Sequence, residues 1–153
     1  MTRTAAREIA ILLGFSVAAG SAGSADEAMD RFFEAEHYAS MAEENPLFSE
    51  FPDDKQMAYI RALVGLIGEH KAELDAYIER YARGWKVSRI DRTAGAIMRC
   101  AMSEILWVED VPTAAAINEA VELAKKYEDD ETVSFINGIL GGFVRGELEP
   151  QES

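Results

Sequence analysis

The chain has 153 residues, 48% of them hydrophobic, with a formal net charge of −13 and one cysteine. That length suits one domain with a sizeable core, the lone Cys100 excludes an internal disulfide, and no stretch approaches the ~18 apolar residues of a membrane span. So acidic a total argues against general affinity for nucleic acid, because phosphate contacts rest on Lys and Arg.

Val, Ile, Thr and aromatic residues alternate nowhere, Pro is limited to four residues, and apolar residues recur at helical spacing. The reading is all-α, a single-domain helical bundle of about seven helices. The first helix is predicted over residues 3–18 and ends at the glycines between 20 and 23. Ser24 and Glu27 form a capping box that opens a second helix running to about residue 44, where Asn45-Pro46 stops it. Asp53 with Gln56 caps the third, marked by Ile60, Leu63, Val64 and Ile67. A bend near residues 68–70 leads to the fourth, with Leu74, Ile78 and Tyr81, and Gly84 closes it. Ser88 with Asp91 reads as the cap of the fifth, through Ile90, Ala94, Ile97, Ala101 and Ile105. Pro112 precedes the sixth, whose stripe is Ile117, Val121 and Ala124 with Ala120 and Tyr127 beside it. The acidic run at 128–131 sits at the start of the seventh, where carboxylates favour the positive helix end. Its core face is Val133, Ile136, Leu140 and Val144. The domain is expected over residues 1–146, with a disordered tail at 147–153.

The N-terminus also has the look of a secretory signal, with Arg3 and Arg7 ahead of an apolar run and small residues. Glu8 and amphipathicity argue against that: Ile9, Leu12 and Leu13 share one face while Arg3, Arg7 and Gly14 line the opposite one. Cys100, mid-helix, reads as a small core residue in a reducing cytosol. The expected location is cytoplasmic.

Charge is unevenly distributed. Residues 80–99 carry Arg80, Arg83, Lys86, Arg89, Arg92 and Arg99 against Asp91 alone, with Tyr81 and Trp85 interleaved. Cations among aromatics suit single-stranded RNA, whose phosphates meet the charges and whose unstacked bases find π faces. The same run also reads as a solvated helix face with Trp85 plugging the core. Arg83, Lys86 and Arg89 are the candidate contacts.

Phe135 projects about 120° from the centre of its helix's apolar face on a 100° wheel. A ring on a helix shoulder either packs against a neighbouring edge or binds something. Asn137 is expected to point inward and satisfy a buried partner. Glu104 falls among Ile97, Ala101 and Ile105, so it needs partners or a raised pKa. It reads as a structural network member, with Asn118, Asn137 or Arg7 as partners, since no nucleophile or second carboxylate shares its face. Glu34-x-x-His37 has the spacing of half a di-iron site, but no second half exists. Phosphate-loop, dinucleotide and zinc-protease motifs are absent. No enzyme activity, cofactor or metal is expected.

Two helices punctuated by Asn carry the most specific pattern: Val111-Pro112, then Ile117-Asn118-Glu119-Ala120-Val121-Glu122-Leu123-Ala124-Lys125, then Phe135-Ile136-Asn137-Gly138-Ile139-Leu140. This resembles the C-terminal signature of the NusB family of transcription antitermination factors. Arg7-Glu8 and Phe15 in the first helix, Asp91-Arg92 to Arg99, and Ser103-Glu104-Ile105 match as well. Only residues 20–45 match poorly.

The resemblance implies a small all-helical cytoplasmic bacterial protein that pairs with the ribosomal protein NusE and binds boxA RNA. The pair then joins the elongating RNA polymerase complex and suppresses termination in ribosomal RNA operons. Carried over by position, the RNA-site aromatic is Phe135, the acidic neighbour is Glu131, the N-terminal arginines are Arg3 and Arg7, and the first-helix aromatic, a partner contact, is Phe15. Family members typically have three or more arginines within the first ten residues, so fewer cations here imply a salt slope shallower by roughly 0.7 per lost contact. Phe15 stands where Tyr is common, removing a hydroxyl donor. An acidic body suits a basic partner. A homodimer is compatible with the family. The alternatives are a protein-only helical adaptor, or the RNA-binding half of an RNA cytosine methyltransferase, for which 153 residues leave no catalytic domain.

Overall fold

The computed structural model describes residues 1–20 and 23–149, all helical or connecting, with eight α-helices among the described residues. It divides into two compact units, Met1–Glu69 and His70–Ser153.

In the first unit α1 (Arg3–Ala18) packs along α4 (Asp54–Glu69). Ile9, Leu13, Ile60, Leu63, Val64 and Ile67 are buried between them, each contributing about 1.5–3 kcal/mol. Gly14 permits the close approach: a Cβ there would lie 2.8 Å from Ile67 Cδ1. Thr2 caps α1 by accepting from Ala5 N–H at 3.0 Å. Asp53 and Gln56 form the expected reciprocal box before α4.

The helix expected over 24–44 is two helices, α2 (Ala25–Phe32) and α3 (Ala35–Ala42). Glu34 interrupts it. Its carboxylate accepts from Glu36 and His37 N–H at 3.1 and 3.0 Å, capping α3. The break folds Phe33 back onto Tyr38, stacked at 5.5 Å, with Phe32, Phe48 and Phe51 packed around them edge-on. Local helix propensity therefore yields to burial of aromatic surface.

α1 also touches α2, so its buried residues run continuously from Ala6 to Ile11. Arg7 and Gly14 are consequently buried rather than solvent-facing, and Leu12, expected inside, is 37% exposed.

The second unit contains α5 (Lys71–Tyr81), a 3-10 turn (Val87–Arg89), α6 (Arg92–Trp107), α7 (Thr113–Tyr127) and α8 (Asp130–Glu147). α6 is its centre, packed by α5, α7 and α8, and every residue from Ala94 to Glu104 is buried. Asp91 caps it; Ser88, the expected cap, lies in the 3-10 turn instead. Helices α7 and α8 are rotated from their predicted faces. Ala116, Ala120, Leu123 and Ala124 are buried on α7, and Ile136, Ile139, Leu140 and Phe143 on α8. Small residues allow the closest helix approach, so the alanine stripe sets the buried face and Ile117, Val121, Val133 and Val144 flank it.

α8 continues through Glu147, which holds Arg80 and Tyr81, so the structured chain passes residue 146. The remainder of the expected tail, from Pro150, lies outside the described residues.

Candidate nucleic-acid interface

The site begins where α5 must stop. Arg83 (φ 50°) and Gly84 (φ 96°) both adopt left-handed backbone, which reverses the chain after α5. Glu79 fastens the reversal by accepting from Val87 N–H at 3.0 Å. The short connection has no inward face, so Arg83, Lys86 and Arg89 are exposed and Trp85 is 55% exposed.

Phe135, partly exposed on the first turns of α8, meets Trp85 edge to face at 6.5 Å and 69°. Between and beneath the two rings lies a cleft of about 330 Å³ lined by Arg89, Ile90, Asp91, Ala94, Glu131 and Thr132. Its chemistry is mixed: two rings for stacking, an apolar floor, one guanidinium, and two carboxylates that accept hydrogen bonds.

The carboxylates at this end are linked. Asp91 Oδ2 accepts from Ala94 N–H at 3.1 Å, and Glu128 follows the end of α7. Interaction with the Asp91 carboxyl, then burial and the Asp129 charge, pushes Glu128 up to about 7, while Asp91 is held below its usual value. Asp129 caps α8 through Thr132 N–H at 2.8 Å, which keeps its carboxyl low.

Not every arginine of the basic stretch is available. Arg99 Nε donates to Asp75 at 2.7 Å inside the unit, and Lys71 Nζ reaches the other Asp75 oxygen at 2.7 Å. Arg80 pairs with Glu147, which also accepts from Tyr81 Oη at 2.8 Å. Arg83, Lys86, Arg89 and Arg92 are exposed and, among the described residues, lie outside every ion pair.

In the first unit, Arg3 is exposed and its guanidinium lies 4.0 Å from the centre of the Tyr59 ring. Arg7 is 6% exposed, with its guanidinium 5.9 Å from the same ring. The expected solvent-facing position of Arg7 is thereby corrected: two packed helices enclose its stretch of α1. Phe15 is partly exposed.

Glu104 is fully buried, and Cys100 Sγ donates toward its Oε1 at 3.8 Å. Asn118 and Asn137, expected to look inward, are both exposed. The alanine-led rotation of α7 and the burial of Ile136 and Ile139 on α8 turn these neighbours outward.

Of the two readings of Trp85, a ring open to RNA or a core plug, its exposure directly after the left-handed Arg83-Gly84 turn excludes the plug. The Asp91–Glu128 interaction joins residues distant in sequence, and no local pattern announces it.

The NusB family's sequence pattern matches residues 4–145. The chain is 39% identical over 132 residues to the transcription antitermination protein NusB of Acetivibrio thermocellus, covering 84% of this chain and 91% of that one. To the same protein of Natranaerobius thermophilus it is 36% identical over 140 residues, 92% of each. The solved structure of T. maritima NusB superimposes with a TM-score of 0.71 at 26% identity, over 98% of this chain and 94% of that one. No helix among the described residues is long and apolar enough to cross a membrane. With eight α-helices among the described residues, the Phe-Ile-Asn-Gly stretch at an open cleft and a family match over residues 4–145, the chain belongs to the NusB family.

Proposed function

We propose that this protein binds single-stranded boxA-type RNA together with the ribosomal protein NusE, in the cytoplasm and without catalysis. The protein pair then joins the elongating RNA polymerase complex and suppresses termination in ribosomal RNA operons. One observation carries the reading: in a chain of net charge −13, the Trp85 and Phe135 rings face a cleft beside Arg89, which forms no ion pair among the described residues. Bases stack on the rings, phosphates meet Arg83, Lys86 and Arg89, and Glu131 with Asp91 accepts from base amino groups. Arg3 is retained as a phosphate contact and Phe15 as part of the NusE surface. Arg7, buried, takes a packing role.

A mobility shift with boxA-type RNA, with and without NusE at two salt concentrations, tests this. A shift that strengthens with NusE and weakens with salt is expected. The acidic net charge keeps a second reading open, a protein-only adaptor. It is supported if NusE binds while RNA shifts in neither lane.

A further inference from the structure

The break between α2 and α3 opens a groove in the first unit. Leu13 on α1, Ala28, Arg31 and Phe32 on α2, and Glu34 and His37 across the break line about 510 Å³, a size typical of binding sites. Leu13 and Ala28 are buried and form its floor, and the half-buried Phe32 ring is a wall. Phe32 meets Phe33, Tyr38 and Phe48 edge-on. The far end of this aromatic set is Phe51, 5.1 Å from Tyr38 and 54% exposed. An apolar surface therefore runs from the groove to an open ring, and neither RNA nor NusE has been assigned to it.

Charge decides what such a surface can hold. Residues 24–54 carry ten carboxylates against Arg31 alone, and all ten are exposed. Glu34 and Asp53 cap helices, while Asp26 and Glu50 pair with Arg61 and the Met1 ammonium. Asp30, Glu36, Glu43 and Glu44 form no ion pair among the described residues. Such a field repels phosphates, anionic lipid headgroups and a second copy of a chain whose own net charge is −13. It attracts cations. The apolar floor adds a second condition, because a bare polyamine has nothing to cover Leu13, Ala28 and Phe32. An extended polypeptide that interleaves Lys or Arg with bulky apolar residues meets both conditions.

We propose that the groove at the α2–α3 break, with the exposed Phe51 ring, docks a basic segment of a partner protein that carries bulky apolar residues, at a surface separate from the RNA cleft and from Phe15. The apolar side chains of the segment seat on Leu13, Ala28 and Phe32, and its cations meet the exposed carboxylates of α2 and α3. Charge steers the encounter and apolar burial holds the complex, so binding needs both and its on-rate falls with salt. The helix break is what makes the site. A continuous helix over 24–44 would carry no Glu34 cap to fold the aromatic residues back and leave the groove beside them.

The test uses the full chain, with a labelled synthetic peptide alternating Lys with Leu as the probe, read by fluorescence anisotropy and by amide NMR shifts. The same peptide with Ser in place of Leu, and spermine, serve as comparisons. Saturable binding is expected, with shifts confined to the second half of α1, to α2 and α3, and to the residues around Phe51. The Ser peptide should bind about tenfold or more weaker, the worth of one buried Leu. Asp30→Asn combined with Glu36→Gln, both exposed and outside the packing, should weaken the Lys-Leu peptide by about threefold or more. Phe51→Ser should also weaken it, with the melting temperature reporting whether the aromatic set stays folded. The proposal is overturned if no saturable binding occurs, if spermine or the Ser peptide binds as tightly, or if the double variant keeps wild-type affinity. Shifts spread over the whole acidic surface overturn it too, as does displacement of the peptide by NusE, which would make the groove part of the NusE surface. None of these outcomes touches the RNA reading, since no RNA is present.

Discussion

Arginine meets aromatic in both units, with opposite consequences. In the first, Arg3 and Arg7 lie over Tyr59, and Arg7 is enclosed by packed helices. In the second, Arg89 shares an open cleft with Trp85 and Phe135, whose rings meet edge to face and leave surface uncovered. The enclosed guanidinium of Arg7 satisfies cation and π face together, which stabilises the fold, while Arg3 stays exposed. An open ring beside a solvated cation retains both for a ligand. The same split divides the basic stretch at 80–99: Arg80 and Arg99 are consumed by carboxylates, whereas Arg83, Lys86, Arg89 and Arg92 form no ion pair among the described residues. Availability, rather than composition, separates structural from functional arginines here.

Removing a consumed arginine should have the largest effect. Arg99→Ala leaves Asp75 nearly buried with only Lys71 opposite, and should cost about 3–5 kcal/mol of stability. Chemical denaturation measures it; a loss below about 1 kcal/mol would place Arg99 with the available set. Phe135→Ala should instead leave stability nearly intact and weaken RNA binding by about 1–3 kcal/mol, the worth of one stacked base. An equal drop in both quantities would make Phe135 a packing residue. Arg7→Ala should lower stability by about 1–3 kcal/mol while RNA affinity of the folded protein stays unchanged; a loss of affinity alone would break the comparison. The smallest effect is expected for Arg89→Gln, which should reduce the slope of log affinity against log salt by about 0.7.

Stability should also respond to pH through Glu128. Its folded pKa, about 7, lies above the ordinary 4.5, so its contribution is fully present below 4.5 and is lost as pH rises through 7. Melting temperature should therefore decline between about pH 5 and pH 8 in the wild type, and less so in Glu128→Gln.

Much of the fold could be read along the chain because its signals are local. Thr2, Ser24, Asp53 and Asp129 sit where side-chain oxygens meet free helix N–H groups, and Ile60, Leu63, Val64 and Ile67 keep helical spacing on a single face. The Phe-Ile-Asn-Gly and Ile-Asn-Glu-Ala stretches carried the family for the same reason, as contiguous strings. What misled was rotation about a helix axis. Asn137 and Leu12 lie beside correctly placed Ile136 and Leu13 and Asn118 beside Ile117 of a rotated face, and the exposure of these residues and of Arg7 depends on how closely neighbouring helices approach, as at Gly14, Ala116 and Ala120.

Helices and their caps follow from hydrogen bonds made within a few residues, so sequence determined their number to within one and their ends in most cases. The division of the second helix at Glu34, the capture of Arg80 and Arg99, the outward turn of Trp85 and the meeting of Asp91 with Glu128 join residues or surfaces far apart in the chain or set by packing. Those were decided by tertiary structure alone, because burial and charge pairing depend on which surfaces come into contact.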